Sequence, residues 1–264
     1  SSKVAHDYNM PLIVDSTFST PYLTRCFDFG ADIIVTSLTK WVGGHGTGVG
    51  GMCIEKGGFN WATGRHPLFD KPDTSYGGLR WGHDLPETLA PLAYKLRMLT
   101  VGLRNIGAAQ SPDNAWMFLQ GIETLSLRMD RHCENSLKVA EHLKSHPKVA
   151  WVRYPGLKDD PEYAKNVKYI KGKGGGMVIF GIKSTDARKA GSTFIDSLKL
   201  ISHVANVGDA RTLAIHPATT THSQMSPEQQ LAAGAPPDMV RLSIGLETAE
   251  DILADIDQAL EAAN

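Results

Sequence analysis

Cysteine is scarce. Cys26, Cys53 and Cys133 are the only three in 264 residues, far apart and odd in number. That excludes a disulfide framework and fits a reducing compartment, so the expected location is the cytoplasm. An excess of charge is also missing. The formal net charge is −1, so no global field draws the chain to nucleic acid or to an anionic membrane. There is no apolar run of about 18 residues, the length a membrane span needs. No basic-then-apolar segment opens the chain. No G-K-[ST] phosphate loop and no G-x-S-x-G nucleophile elbow occurs. A starting methionine is absent too. "SSKVAHDYNMPLIVD" reads as the tail of a helix feeding a strand, so the chain is expected to be the carboxyl-terminal part of a longer protein.

What is present is an ordinary globular composition, with 42% hydrophobic and 21% charged residues, long enough for two domains. Residues 11–15 (PLIVD) and 32–38 (DIIVTSL) are short β-branched runs ending in polar residues. Between them Tyr22, Leu23, Cys26 and Phe27 have helical spacing, stopped at Gly30. This βαβ pattern predicts a parallel sheet, and ligands of such sheets lie at the carboxyl ends of strands. "GVGGMCIE" predicts a further strand. Residues 57–84, rich in Gly, Pro, His and aromatics, predict a long ordered loop. Ser111-Pro112-Asp113 is a helix start, and apolar positions from Leu119 to Leu143 continue at helical spacing to Ser145. One helix of roughly 33 residues would exceed the usual ~20 and would bridge two domains. Strands are predicted near 149–154, 176–183 and 240–246, with helices at 185–198 and 248–262, forming a smaller α/β domain.

Several motifs are empty on inspection. Gly46-Thr47-Gly48-Val49-Gly50-Gly51 matches the dinucleotide fingerprint letter by letter, yet it runs into the apolar "MCIE" instead of opening a helix. It reads as a turn where backbones pass closely. His142 and His146 are four apart with no glutamate in the zinc-protease position, so they read as a solvated helix face and no metal site is expected.

"DIIVTSLTKWVGGHGTGVGG" (32–51) is different. Lys40 follows Ser37 and Thr39 at a strand end, and hydroxyls with amide N–H groups suit a phosphate. A lysine there is either a charge partner of that phosphate or an amine nucleophile toward a carbonyl. Asp15, at the neighbouring strand end, could pair with a protonated ring nitrogen, which is one way proteins tune pyridoxal phosphate. A surface lysine and a strand-end aspartate remain the plain alternative. Arg241 sits in the apolar "MVRLSIG", where an unpaired charge is costly. Either a ligand carboxylate, taken bidentately, or a structural ion pair would account for it.

"VDSTFSTPYL…GADIIVTSLTKWVGGHG", "HVANVGDARTLAIHPATTTHSQ" and "VRLSIGLE" resemble, in order and spacing, the cysteine and methionine metabolism family of pyridoxal-phosphate (PLP) enzymes. The resemblance runs nearly end to end. It implies an α/β chain of the PLP-dependent transferase fold (aspartate-aminotransferase type, fold type I), with the amino-terminal part lacking. Residues 1–130 would be the carboxyl-terminal part of the large PLP-binding domain and 131–264 the small carboxyl-terminal domain. By resemblance, Lys40 carries the cofactor covalently and later moves protons. Asp15 pairs with the pyridine nitrogen, and Thr17 lies near the ring. Ser37 and Thr39 bind the phosphate. Arg241 grips the substrate α-carboxylate, Asn206 contacts that carboxylate or is a turn residue, and Thr221 lies near the substrate. The implied partners are a small amino acid and sulfide or a thiol, within a homo-oligomer, a tetramer. The glycine-led phosphate loop, the ring-stacking tyrosine and the tyrosine–arginine pair of a neighbouring subunit have no match in these residues. "GGFNWATGRHPLF" and "LQGIETLSLRMDRHCENS" point within the family to γ-replacement on O-acetyl-L-homoserine with sulfide. Cystathionine γ-synthase and methionine γ-lyase activities stay open, as does a non-catalytic piece that completes an oligomer.

Overall fold

A computed structural model describes residues 2–263. The chain forms two compact units. One is built from the residues up to Thr17, with Arg25–Leu38 and Val49–Trp116; the other from Phe18–Thr24, Thr39–Gly48 and the chain from Met117 onward.

The first unit carries a three-stranded sheet, β1 (Ile13–Asp15), β2 (Ile33–Ser37) and β3 (Gly51–Glu55), in that spatial order. β1 and β2 are parallel, with Asp15 opposite Val35, so Asp15 and Ser37 both stand at carboxyl ends. Along the chain the connection holds the short helix Thr20–Leu23 and a 3-10 turn, Cys26–Phe29. The turn ends on Gly30, whose φ of 84° is a left-handed conformation that only glycine adopts without steric cost. The parallel expectation fails at β3, which runs antiparallel to β2 with Ser37 opposite Gly51. Residues 38–50 contain no α-helix to act as a crossover, so the returning strand pairs antiparallel.

The segment expected to be a loop, 57–84, supplies the core of this unit. Trp61, Phe69 and Trp81 are buried with Ile33 and Ala93. Trp61 stacks on Phe69 with ring centroids 4.2 Å apart. Indole Nε1 of Trp81 donates to Asp73 at 2.9 Å, so the polar end of a buried ring is satisfied.

The second unit is a five-stranded sheet in the order β4-β5-β8-β7-β6. Its strands are β4 (Val149–Arg153), β5 (Met177–Ile182), β6 (Ser202–His203), β7 (Leu213–Ile215) and β8 (Met239–Ser243). All neighbours are antiparallel except β6 and β7. The helical pattern from 111 to 145 is two helices, α1 (Pro112–Glu123) and α2 (Leu125–Ser145), rather than one. Ser111 Oγ caps α1, accepting from Asn114 N at 3.1 Å. The break falls at Thr124, with φ −103° and ψ 5°. There the carbonyl of Gly121 receives the Arg128 side chain at 2.6 Å. Further helices are α3 (Tyr163–Ile170), α4 (Ala187–Ser197), α5 (Pro227–Ala232) and α6 (Ala249–Ala262). On α6, Ile252, Ile256, Ala259 and Leu260 follow an i, i+4, i+7, i+8 stripe and are fully buried. They share one core with Val139 and Leu143 of α2, Phe194 of α4 and Phe180, Val240 and Leu242 of the sheet. Each such side chain contributes about 1.5–3 kcal/mol on burial.

α5 opens with a capping box that the sequence reading passed over. Ser226 Oγ accepts from Gln229 N, and the Gln229 side chain accepts from Ser226 N at 2.9 Å. Its Gln230 Nε2 donates to the carbonyls of Ala218 (3.1 Å) and His222 (2.8 Å), which ties down the loop holding Thr221.

Candidate active site

In the first unit the structure brings Asp15, Thr17 and Ser37 together. The backbone N–H of Thr17 donates to Asp15 Oδ1 at 2.9 Å, an Asx-type turn that orients the carboxylate at the end of β1. Thr17 is itself buried, and its hydroxyl accepts from Ser37 N at 2.9 Å. The two strand ends are thus pinned to each other, and Asp15 stays exposed.

In the second unit the structure brings Lys40 to Asn206, with Nζ of Lys40 donating to Oδ1 of Asn206. The backbone at Lys40 leaves helical geometry (φ −91°, ψ −129°). The segment that follows is held tightly. Trp41 is fully buried with Leu23, Leu125, Met129 and Cys133. Gly208 packs directly on it; a Cβ there would lie 2.5 Å from Trp41 N and 2.9 Å from Lys40 C. The N–H of Gly208 donates to Ser243 Oγ at 2.9 Å, at the end of β8. The carbonyl of Gly44 accepts from Ala210 N at 2.8 Å. Asn206 and its neighbours are therefore located by the same strand that carries Arg241.

Arg241 lies mid-strand in β8, half-buried, opposite Ile179 of β5 and Ile215 of β7. Burial lowers its pKa from the usual guanidinium value. Among the described residues no hydrogen bond or ion pair engages its guanidinium, so the structural ion pair considered above does not form among them. Thr221 is exposed, and its hydroxyl meets His222 Nδ1 at 2.8 Å, in a loop that follows the 3-10 turn Pro217–Thr219. Thr39, between Ser37 and Lys40, is half-buried.

Sequence reasoning missed the residues beneath Lys40. Arg128 and His132 of α2 are buried against the lysine segment, and His132 meets the Trp41 ring edge-on at 4.8 Å. Nδ1 of His132 is 2.6 Å from the Ile244 carbonyl, so that nitrogen carries the proton. Burial, with the nearby Arg128 charge, pulls its pKa down to about 4. The neutral ring is thus the folded form, while the unfolded ring protonates near 6.5. Stability is unaffected above that value and falls as pH drops from about 6.5 to about 4, by roughly 3 kcal/mol. His132→Asn keeps a donor for Ile244 and cannot titrate, so its urea midpoint should show a shallower decline over that range. An unchanged slope would remove His132 as the cause.

His142 and His146 both face Asp257, at 2.6 and 3.7 Å.

Taken unit by unit, the donors suit parts of pyridoxal phosphate. A primary amine can meet an aldehyde, an exposed carboxylate can meet a ring N–H, hydroxyls at a strand end can meet a phosphate, and a half-buried guanidinium lacking a counter-ion can meet a carboxylate. Both units mix strands and helices, as α/β proteins do.

The model of the Cys/Met metabolism PLP-dependent enzymes matches residues 1–261, and the chain belongs to that family. It is 50% identical to the O-acetyl-L-homoserine sulfhydrylase of Leptospira meyeri, over 98% of this chain and 60% of the relative. It is 49% identical to O-acetyl-L-homoserine sulfhydrylase 1 of Thermus thermophilus, again over 98% of this chain and 60% of the relative. A crystal structure described as that of an O-acetylhomoserine (thiol)-lyase from Campylobacter jejuni superposes with a TM-score of 0.90 at 40% identity. The match covers 98% of this chain and 61% of that one, which holds N'-pyridoxyl-lysine-5'-monophosphate. The chain thus spans about three fifths of the length of the curated relatives it matches.

Proposed function

We propose that this chain belongs to an enzyme that replaces the acetate of O-acetyl-L-homoserine by sulfide or a thiol, giving homocysteine and acetate with sulfide. The observation that carries this reading is Arg241, a half-buried guanidinium with no counter-ion among the described residues, on the strand whose end locates Asn206 and Lys40. Pyridoxal phosphate, when bound, supplies an aldehyde that condenses with amines and a ring that accepts electrons from an adjoining carbanion. Lys40 would hold that group, Asp15 would accept from its ring nitrogen, Thr17 would stand near the ring, and Ser37 and Thr39 would donate to its phosphate. Arg241 would take the substrate α-carboxylate bidentately, with Asn206 alongside and Thr221 near the substrate. Asn206 Oδ1 also keeps the freed Lys40 amine in place. That amine would take the α-proton, pass it on to the bound cofactor, and so be free to take a β-proton, which would let the Cγ–O bond break and acetate leave. Sulfide adds at Cγ, and Lys40 returns the protons.

The relatives' names support the choice of substrate. Residues 1–130 read as the carboxyl-terminal part of the large PLP-binding domain and 131–264 as the small domain. A homo-tetramer in the cytoplasm is the expected setting. Among the described residues no helix is long and apolar enough to cross a membrane.

The test is chromatography of products from the full-length protein, supplied with cofactor, O-acetyl-L-homoserine and excess sulfide. Homocysteine with equimolar acetate is expected. Dominant release of 2-oxobutanoate and ammonia would move the assignment to γ-elimination.

A further inference from the structure

We infer that Arg128 is a positioning residue for Lys40, acting from a buried polar stripe on α2. Arg128, His132 and Asn135 are spaced i, i+4, i+7, so they share one helix face. All three are buried, at 5%, 0% and 2% exposure. A face that deep is ordinarily apolar. Here most of its N–H groups donate to backbone carbonyls, while His132 Nε2 has no partner among the described residues. Arg128 Nη1 donates to the Trp41 carbonyl at 2.7 Å, and Nη2 to those of Val42 at 3.0 Å and Gly121 at 2.6 Å. Nε donates to Thr124 Oγ1 at 3.2 Å. Asn135 Nδ2 donates to the carbonyls of Gly245 (3.1 Å) and Glu247 (2.9 Å), just past the end of β8.

No carboxylate pairs with Arg128 among the described residues, and burial lowers its pKa. A buried charge balanced only by carbonyl dipoles is a poor way to gain stability, since an apolar side chain of that size would serve as well or better. The fork does something an apolar side chain does not. Its rigid N–H directions fix the planes of the Trp41 and Val42 peptides, which follow Lys40 directly. Gly208 packs on the same segment, since a Cβ there would lie 2.5 Å from Trp41 N and 2.9 Å from Lys40 C. The segment from Lys40 to Val42 thus meets a glycine at its start and a guanidinium at its following carbonyls, and the Lys40 amine donates to Asn206. Gly44 shows how close the fit is, because a Cβ there would sit 2.1 Å from Arg128 Nη1.

The inference rests on the reading that Lys40 carries the cofactor, and the experiment separates the two. In the full-length protein, Arg128→Lys keeps a charge but cannot reach the three carbonyls together. Folding is checked by circular dichroism and melting. Added pyridoxal phosphate is trapped with borohydride at intervals, and the labelled peptide is mapped by mass. The rate of label appearing at Lys40 should fall about tenfold or more, and kcat with it, while KM for O-acetyl-L-homoserine stays within about twofold. Binding of pyridoxine 5'-phosphate, which has no aldehyde, should be unchanged. Millimolar guanidinium should restore part of the capture rate to Arg128→Ala, if that variant folds. Wild-type capture and turnover by folded Arg128→Lys would overturn the proposal. So would a loss explained wholly by a smaller folded fraction. Label on another lysine in the wild-type protein would overturn the Lys40 reading itself, and this proposal with it.

Discussion

Replacing Lys40 by alanine is expected to lower kcat by roughly 10²–10⁴-fold, the range of a positioned general acid–base. The removed amine has two duties in the proposed reaction, holding the cofactor and moving protons. Its surroundings offer no substitute, because Nζ is fixed on Asn206 and the following residues are packed against Gly208 and Arg128. The cofactor should still associate through its phosphate, so absorbance after gel filtration should exceed that of a blank. Borohydride reduction should leave no pyridoxyl label on the 32–51 peptide. Turnover within about tenfold of wild type would show that another group does the proton chemistry.

Arg241→Ala should have the next largest effect. Arg241 is half-buried on a strand paired at Ile179 and Ile215, and its guanidinium has no anionic partner among the described residues. A ligand carboxylate would complete it, and such desolvated, charge-assisted contacts are worth roughly 2–5 kcal/mol on truncation. The loss should fall mainly on KM for O-acetyl-L-homoserine, with KM for sulfide unmoved. Arg241→Lys should recover only part, because an ammonium cannot make the paired, planar contact. Equal kcat/KM for Arg241→Ala and wild type would sink the carboxylate role.

Parts of this picture were legible before any coordinates. The apolar runs ending at Asp15 and Ser37 became β1 and β2, parallel, with both polar residues at carboxyl ends. "MVRLSIG" became β8 with Arg241 inside it. Gly30 stopped the connection as its spacing implied. The polar stripe under Lys40 was not legible. Arg128, His132 and Asn135 have the types and spacing of a solvated helix face, and nothing local reveals that most of their partners are carbonyls 86 to 112 residues away. The 57–84 segment misled in the opposite sense. Its glycines and prolines break regular structure, as expected, but its tryptophans and Phe69 form a core, because large aromatic surface is buried whether or not the backbone is regular.

The sequence by itself determined which side chains stand at the candidate site: one lysine after two hydroxyls, a carboxylate at the neighbouring strand end, and an arginine inside an apolar strand. Residue type and strand periodicity are local properties, so a reader of the chain can find them. Only the tertiary structure decided the direction of β3, the sheet order β4-β5-β8-β7-β6, the break at Thr124 and the grip of Arg128 on the segment after Lys40. Those depend on which distant carbonyls and cavities meet a side chain once the core has closed. A buried guanidinium can be recognised only when its partners are in place, because it is their geometry that makes burying the charge tolerable.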